Sequence, residues 1–232
     1  MLSIVIPTLN AAATLPGVLD ALSEARTASL EHEIIVSDGG SKDGTAPLAE
    51  AAGARVRIGP SGRGRQLAAG AEAARGDWLL FLHADTRLAP GWILPARNFM
   101  ATPANGTRAA YFRLAFDDNA AAARLLEAGV RLRCALFALP YGDQGLLLSR
   151  PLYDCVGGFH SLPLMEDVDM ARRLGRRRLV ALPHLAHTSA ERYRRDGWIA
   201  RPMRNLACIA LYFLGVAPER IAAFYRRGAG AR

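Results

Sequence analysis

Gly76-Asp77-Trp78-Leu79-Leu80-Phe81-Leu82-His83-Ala84-Asp85-Thr86 is the stretch that decides the fold. From Trp78 to Leu82 it is apolar without alternation, as expected of a short strand covered on both faces, and such strands belong to parallel sheets flanked by helices. The run then stops at a polar tip, His83-Ala84-Asp85. Upstream, Ser3-Ile4-Val5-Ile6-Pro7 and Glu33-Ile34-Ile35-Val36-Ser37-Asp38 read as two more strands, and Arg55-Val56-Arg57-Ile58 as a third. Leu15, Val18, Leu19 and Leu22 recur at helical spacing, and 45–52 and 66–74 are helix-compatible. Strands alternating with helices imply an α/β fold with a mostly parallel sheet, whose ligands bind beyond the carboxyl ends of the strands. Asp38-Gly39-Gly40 and His83-Ala84-Asp85 are therefore expected on one edge of that sheet.

The second half differs in kind. Residues 111–116, 145–149 and 179–182 read as strands, and 120–139, 198–214 and 218–227 as helices, with a further helix from Glu166. Neither a repeat nor a linker interrupts the chain. The expected organisation is an α/β unit over 1–195 with an amphipathic helical appendage over 196–232 packed on it.

Composition narrows the function classes. The chain has 232 residues, 51% of them hydrophobic and 22% charged, which is ordinary for a globular domain. Cys134, Cys155 and Cys208 are odd in number and lack CxxC spacing, so neither a disulfide framework nor a structural zinc site is expected. With no secretory pattern in the first residues, the expectation is a cytoplasmic protein. The net charge of +8 is concentrated late, with 14 arginines against three acids after Asp169. Such a segment suits a phosphorylated ligand or an anionic membrane surface, and the apolar face of Met203, Leu206, Ile209, Ala210, Phe213 and Leu214 suits peripheral docking on the inner membrane. A second copy of the chain is an equal candidate for that face. Nucleic acid is not, because no stacking motif accompanies the arginines.

Several residues carry candidate chemistry. A carboxylate just beyond a buried strand, Asp85, can hold a divalent cation against a departing diphosphate, although Asp-Thr is also an ordinary turn or helix cap. Asp38 beside two glycines can accept from a base or ribose, or can serve only its own turn, and Asp43-Gly44 is better read as a turn. Gly62-Arg63-Gly64-Arg65-Gln66 is a flexible basic loop opening a helix, suited to an anion. Glu166-Asp167-Val168-Asp169 offers a general base or, alternatively, acids that complement a helix N-terminus, and Asp169 is assigned to the latter. His184 and His187 flank the end of the last strand, and either can complete a metal shell. Arg192, Arg194, Arg195 and Trp198 can cover a diphosphate, or line a surface helix.

Taken in order, Ser3 to Asn10, Val36 to Thr45, Gly76 to Thr86, Gly157-Gly158-Phe159 and Glu166-Asp167 resemble family-2 inverting glycosyltransferases, enzymes of the GT-A fold. The His83-Ala84-Asp85-Thr86 loop and the run from Leu162 to Asp169 look most like a short bacterial branch often labelled selenodomain- or arsenosugar-associated. The resemblance implies a Rossmann-type nucleotide half and transfer of one sugar from a nucleoside-diphosphate sugar, with UDP favoured. Pro7, Thr8, Asn10, Asp38, Gly39, Arg63, Arg65, Gln66, His83, Ala84 and Asp85 would bind the donor. A Mg²⁺ or Mn²⁺ ion would rest on Asp85, with His187 as second ligand. Asp167 would be the base and Glu166 would orient the acceptor, whose hydroxyl would meet the turn Tyr141, Gly142, Asp143 and Gln144. Two departures stand out. His83 occupies the place of the first acid of Asp-x-Asp, and Gln-x-x-Arg-Trp of processive members aligns poorly with 191–195. A nucleotide-sugar or lipid-binding module with a degenerate metal site is the competing class, and a nucleotidyltransferase ranks last because Gly62–Arg65 follows the third strand.

Overall fold

The computed structural model describes residues 1–229, with side chains to residue 226. Its strands are β1 (Leu2–Thr8), β2 (His32–Asp38), β3 (Arg55–Ile58), β4 (Trp78–Phe81), β5 (Thr86–Leu88), β6 (Ala109–Phe116), β7 (Leu146–Ser149) and β8 (Leu179–Thr188). Its helices are α1 (Leu15–Leu22), α2 (Glu24–Thr27), α3 (Thr45–Ala51), α4 (Arg63–Ala73), α5 (Ile93–Ala101), α6 (Ala121–Phe137), α7 (Arg150–Cys155), α8 (Glu166–Leu174), α9 (Glu191–Asp196), α10 (Ala200–Phe213) and α11 (Pro218–Ala229).

All eight strands form one sheet in the order β3-β2-β1-β4-β7-β6-β8-β5. β1 lies parallel between β2 and β4, and β3 continues this parallel half. Beyond β4 the sheet turns mixed: β7 is antiparallel to β4 and to β6, β8 is parallel to β6, and β5 closes the edge antiparallel to β8. The expectation of a mostly parallel sheet holds, with four parallel pairings to three antiparallel, and each antiparallel pairing involves β5 or β7. Short apolar runs such as 146–149 carry no mark of direction, because side-chain alternation is the same in both pairings.

β1 shows why the sheet is buried. Leu2, Ile4 and Ile6 enter one core with Leu15, Val18, Leu22, Trp92 and Phe112, while Val5 enters another with Leu67, Leu79, Phe81, Tyr153, Phe159 and Met170. Burying each such side chain stabilises by roughly 1.5–3 kcal/mol, so the two cores hold the sheet and its edges add little. Both edges are guarded: β3 alternates Arg55 and Arg57 on an exposed strand, and β5 has only three residues.

A reading by composition shortens one strand and misses several short elements. β8 runs through Thr188 instead of stopping at Leu182, so His184 and His187 are strand residues, not its flanks. β5 and α5 were hidden in a stretch of mixed polarity after Asp85. The terminal helices stack in turn on α8: from α10 Tyr212 donates to Asp169 at 3.2 Å and the Phe213 ring lies 5.0 Å from the Arg172 guanidinium, and α11 joins α10 through Arg201 Nη2, which donates to Tyr225 Oη at 3.0 Å. Among the described residues, no helix is long and apolar enough to cross a membrane.

Candidate functional site

Parallel pairing of β1 with both β2 and β4 puts the tips after Thr8, Asp38 and Phe81 on one sheet edge. Two constellations stand there. In the first, Asp38 is buried at the end of β2 and accepts from Thr8 Oγ1 at 2.8 Å, Ser41 N at 2.7 Å and Gly40 N at 3.0 Å. Burial alone would raise its pKa, but these hydrogen bonds outweigh it and hold the carboxylate below its ordinary range. The oxygens offered to a nucleotide base on sequence grounds are thus already engaged by the loop. Asn10 adopts a left-handed φ of 51°, which asparagine tolerates, and its side chain accepts from Lys42 N at 2.9 Å. Asp43 accepts from Ala12 N at 2.9 Å, a turn role as expected.

Gln66 binds the strand tips together. Its Nε2 donates to Thr8 O at 2.6 Å and Ser37 O at 2.8 Å, so the side chain is spent on the scaffold and supports Pro7, Thr8 and Gly39 from below. The segment before it is not a flexible loop. α4 already begins at Arg63, and a Cβ on Gly64 would overlap the His160 carbonyl oxygen, so the first turn sits directly on the 160–162 backbone. This seat aims Arg63 inward, while Arg65 is exposed and contributes nothing to the cavity described next.

The second constellation lines a cavity of about 900 Å³, where Arg63, His83, Asp85, Tyr141, Asp143, Asp167 and Arg192 meet. Glu166 begins α8 behind Met165, whose φ of 70° is left-handed and strained for an unbranched apolar residue. It is 1% exposed and accepts from Arg63 Nη1 at 3.0 Å. Burial raises the Glu166 carboxyl, and the Arg63 charge only partly opposes this. Glu166 therefore faces Arg63 and not an acceptor, contrary to its expected orienting role. Asp167 does reach the cavity: its Oδ2 accepts from Gly142 N at 3.1 Å and its Oδ1 from Val168 N at 2.8 Å.

The turn over 141–144 divides its work. Tyr141 is capped by the Arg133 guanidinium 3.3 Å above its ring, and burial pushes its phenol up to about 12. Asp143 Oδ1 is buried with no hydrogen-bond partner among the described residues, and burial, with Asp167 and Asp85 nearby, pushes its carboxyl up to about 6. Gln144 turns away, donating to Phe112 O at 3.1 Å, so it fixes the turn and does not line the cavity. Burial, reinforced by the Arg63 charge, lowers the His83 pKa to about 4, leaving a neutral imidazole at neutral pH.

Of Arg192, Arg194 and Arg195, only Arg192 faces this site, 3.4 Å from Asp85 Oδ2; Arg194 pairs with Asp118 and Arg195 with Asp196, while Trp198 stacks on Tyr193. His184 bonds Ala89 O at 2.9 Å. His187 does not line the cavity: strand alternation turns it to the face opposite Thr188, which does, and so away from Asp85. The proposed ligand pair Asp85 and His187 is not brought together. Among the described residues no three His, Cys, Asp or Glu side chains form a metal-holding group. Asp85, 21% exposed, with neutral His83 nearby still fits an ion that takes one or two protein ligands and completes its shell with phosphate oxygens. Sequence reasoning missed Arg133, Tyr193 and the α6 wall, since nothing local marks helix residues that meet a site only after folding.

His83 makes one substitution informative. A Cβ on Gly142 would overlap the His83 imidazole, and Gly142 has no positive φ, so Gly142→Ala acts first on that ring. The expected outcome is displacement of His83 with a tenfold or greater loss of donor turnover and a stability loss of about 1–3 kcal/mol. Unchanged turnover would show that His83 does not need its position.

Residues 3–159 match Glycosyl transferase family 2. The chain belongs to this family. This family-2 chain is 41% identical over 95 residues to a PGL/p-HBAD biosynthesis glycosyltransferase of Mycobacterium bovis, a match covering 38% of this chain and 36% of that protein. The matched region thus spans little more than a third of its curated relatives. In structure the family-2 chain is similar to Staphylococcus aureus TarS, with TM-score 0.64 and 15% identity over 90% of this chain and 39% of the other. It is also similar to glucosyl-3-phosphoglycerate synthase of Mycobacterium tuberculosis in complex with Mn²⁺, UDP-Glc and phosphoglyceric acid, with TM-score 0.55 and 23% identity over 82% and 70%. These likenesses establish the GT-A-like α/β fold. The family match ends at residue 159, so it includes the α6 wall of the cavity but not Glu166, Asp167 or α10.

Proposed function

We propose that the chain transfers a single sugar from a nucleoside-diphosphate sugar, with UDP as the favoured nucleotide, to an acceptor hydroxyl with inversion, Asp167 serving as general base. The observation that carries this reading is the meeting of a fixed carboxylate, Asp167, with Arg63, Arg192 and Asp85 in one cavity. UDP is favoured further because solved proteins of similar fold were crystallised with UDP-GlcNAc and UDP-Glc.

The chemistry follows from charge. The acceptor hydroxyl passes its proton to Asp167 as its oxygen bonds the anomeric carbon. The bond from that carbon to the diphosphate breaks on the opposite side, which inverts the centre. Gly142 N holds the Asp167 carboxylate in place, and Arg192 and Arg63 meet the charge that grows on the diphosphate. Asp85 and His83 would hold Mg²⁺ or Mn²⁺, which supplies Lewis acidity to the diphosphate when bound. Thr8, Asn10 and Gly39 shape the nucleotide end, with Asp38 acting through the loop it ties together. The low number of metal ligands also suits the competing reading, a nucleotide-sugar-binding module. We infer a cytoplasmic setting, with the helical appendage from residue 196, whose last three residues lie outside the described ones, folded onto the transferase unit.

A thermal-shift series with UDP and Mn²⁺ tests the site. At a hundredfold excess over Kd, binding adds about 2.7 kcal/mol, or roughly 5–10 °C in a chain of this size. The expected shift needs both UDP and Mn²⁺. Equal shifts without metal would overturn the role of Asp85, and no shift with any nucleoside diphosphate would overturn the reading itself.

A further inference from the structure

The cavity takes the donor's diphosphate beside Arg63, Asp85 and Arg192 and extends beyond it, and its walls change character along its length. Around Asp167 it is polar, and this half continues past Tyr193 to Arg201, whose Nε has no hydrogen-bond partner among the described residues although the side chain is nearly buried. The remainder runs between α6 and α10 and is apolar, with Leu126, Val130 and Phe137 on one side and Leu206, Ile209 and Phe213 on the other. Phe137, Leu206 and Phe213 remain more than half exposed, so neither helix covers the other's apolar face. About 900 Å³ is the upper range of a small-molecule site.

We propose that the acceptor is an amphiphile: a hydroxylated or acidic head that lies between Asp167 and Arg201, and an apolar body that fills the groove between α6 and α10. This rests on the sugar-transfer reading for the role of the head. The occupant is a single small amphiphile because one continuous cavity joins the apolar groove to the base. A second copy of the chain laid over the groove would bury the apolar walls but supply no hydroxyl to Asp167. A flat bilayer surface would meet the exposed rim without reaching Asp167. An extended alkyl or aromatic body with a polar end satisfies both halves at once.

The probe is a series of n-alkyl β-D-glucosides (methyl, hexyl and octyl), kept monomeric, with binding measured by calorimetry. Each methylene entering the groove is expected to tighten Kd about two- to fourfold. Leu206→Glu and Phe137→Glu, both at positions more than half exposed, are expected to flatten that dependence. A flat series in the parent chain overturns the proposal, as does an undiminished series in both variants. So does a dimer that Leu206→Glu dissociates, since the groove would then be an interface, or co-sedimentation with phosphatidylglycerol vesicles beside a flat series. The UDP and Mn²⁺ shift measured on the same samples separates the two claims. Chain-length dependence without UDP binding overturns sugar transfer and leaves an amphiphile groove. UDP binding with a flat series leaves transfer and removes the groove.

Discussion

Asp167→Asn is expected to lower donor turnover by about 10²–10⁴-fold while UDP binding with Mn²⁺ is retained. Asparagine keeps the shape of the side chain and an oxygen for Val168 N, now 2.8 Å from Asp167 Oδ1. Its amide nitrogen then faces Gly142 N, which today donates to Oδ2 at 3.1 Å, so one hydrogen bond is lost. That costs about 1 kcal/mol, too little to unfold the chain or to empty the nucleotide end. The large effect is chemical: an amide cannot take the acceptor proton. Initial rates of UDP release from UDP-glucose or UDP-GlcNAc, with the thermal shift as control, measure it. Turnover kept within threefold would move the base elsewhere, with Asp143 an alternative in the same cavity. Bound UDP without turnover in either chain would favour the binding module.

The second large effect concerns stability. Arg63→Met leaves Glu166 at 1% exposure without the guanidinium that now lies 3.0 Å away. Removing one partner of a buried pair costs about 3–5 kcal/mol, and the partial exposure of Arg63 argues for the lower end, about 3 kcal/mol or roughly 6–12 °C at neutral pH. Burial already raises the Glu166 carboxyl, and losing Arg63 raises it further. The folded chain then holds a proton to higher pH than the unfolded chain, whose glutamate titrates near 4.3. Stability is therefore greatest below that value and is lost as pH rises through the folded pKa, so the deficit grows from acid to neutral pH. Arg63→Met with Glu166→Gln is expected to recover most of the loss, because no buried charge remains. Urea midpoints from pH 4.5 to 8 test this. A deficit that is constant with pH, or undiminished in the double variant, would show that Arg63 acts by packing alone.

The parts of the fold that were legible in the sequence rest on short-range physics. The unbroken apolar run 78–82 and the β-branched 3–7 and 33–38 announced buried strands, and each strand ended close to its predicted boundary. The right edge followed, since parallel strands joined by helices point the same way, and Asp38 and Asp85 duly stand past carboxyl ends. The same logic failed after residue 86, where β5 has only three residues and β8 continues through Pro183 and two histidines. Their lengths are set by pairing with each other and with β6, not by propensity.

Sequence alone determined the strand–helix order of the first half, the family and the candidate acids, because periodicity, turn residues and motif order are properties of neighbours along the chain. Only the tertiary structure decided which candidates act together. It set Arg63 inward and Arg65 outward because α4 is seated on the 160–162 backbone, and it gave Glu166 to Arg63 and Asp167 to the cavity. It turned His187 away from Asp85 by strand alternation and brought in Arg133, Tyr193 and the apolar walls of α6 and α10. Those contacts join residues tens to more than a hundred positions apart, and their geometry comes from sheet order and helix packing, which no local pattern encodes.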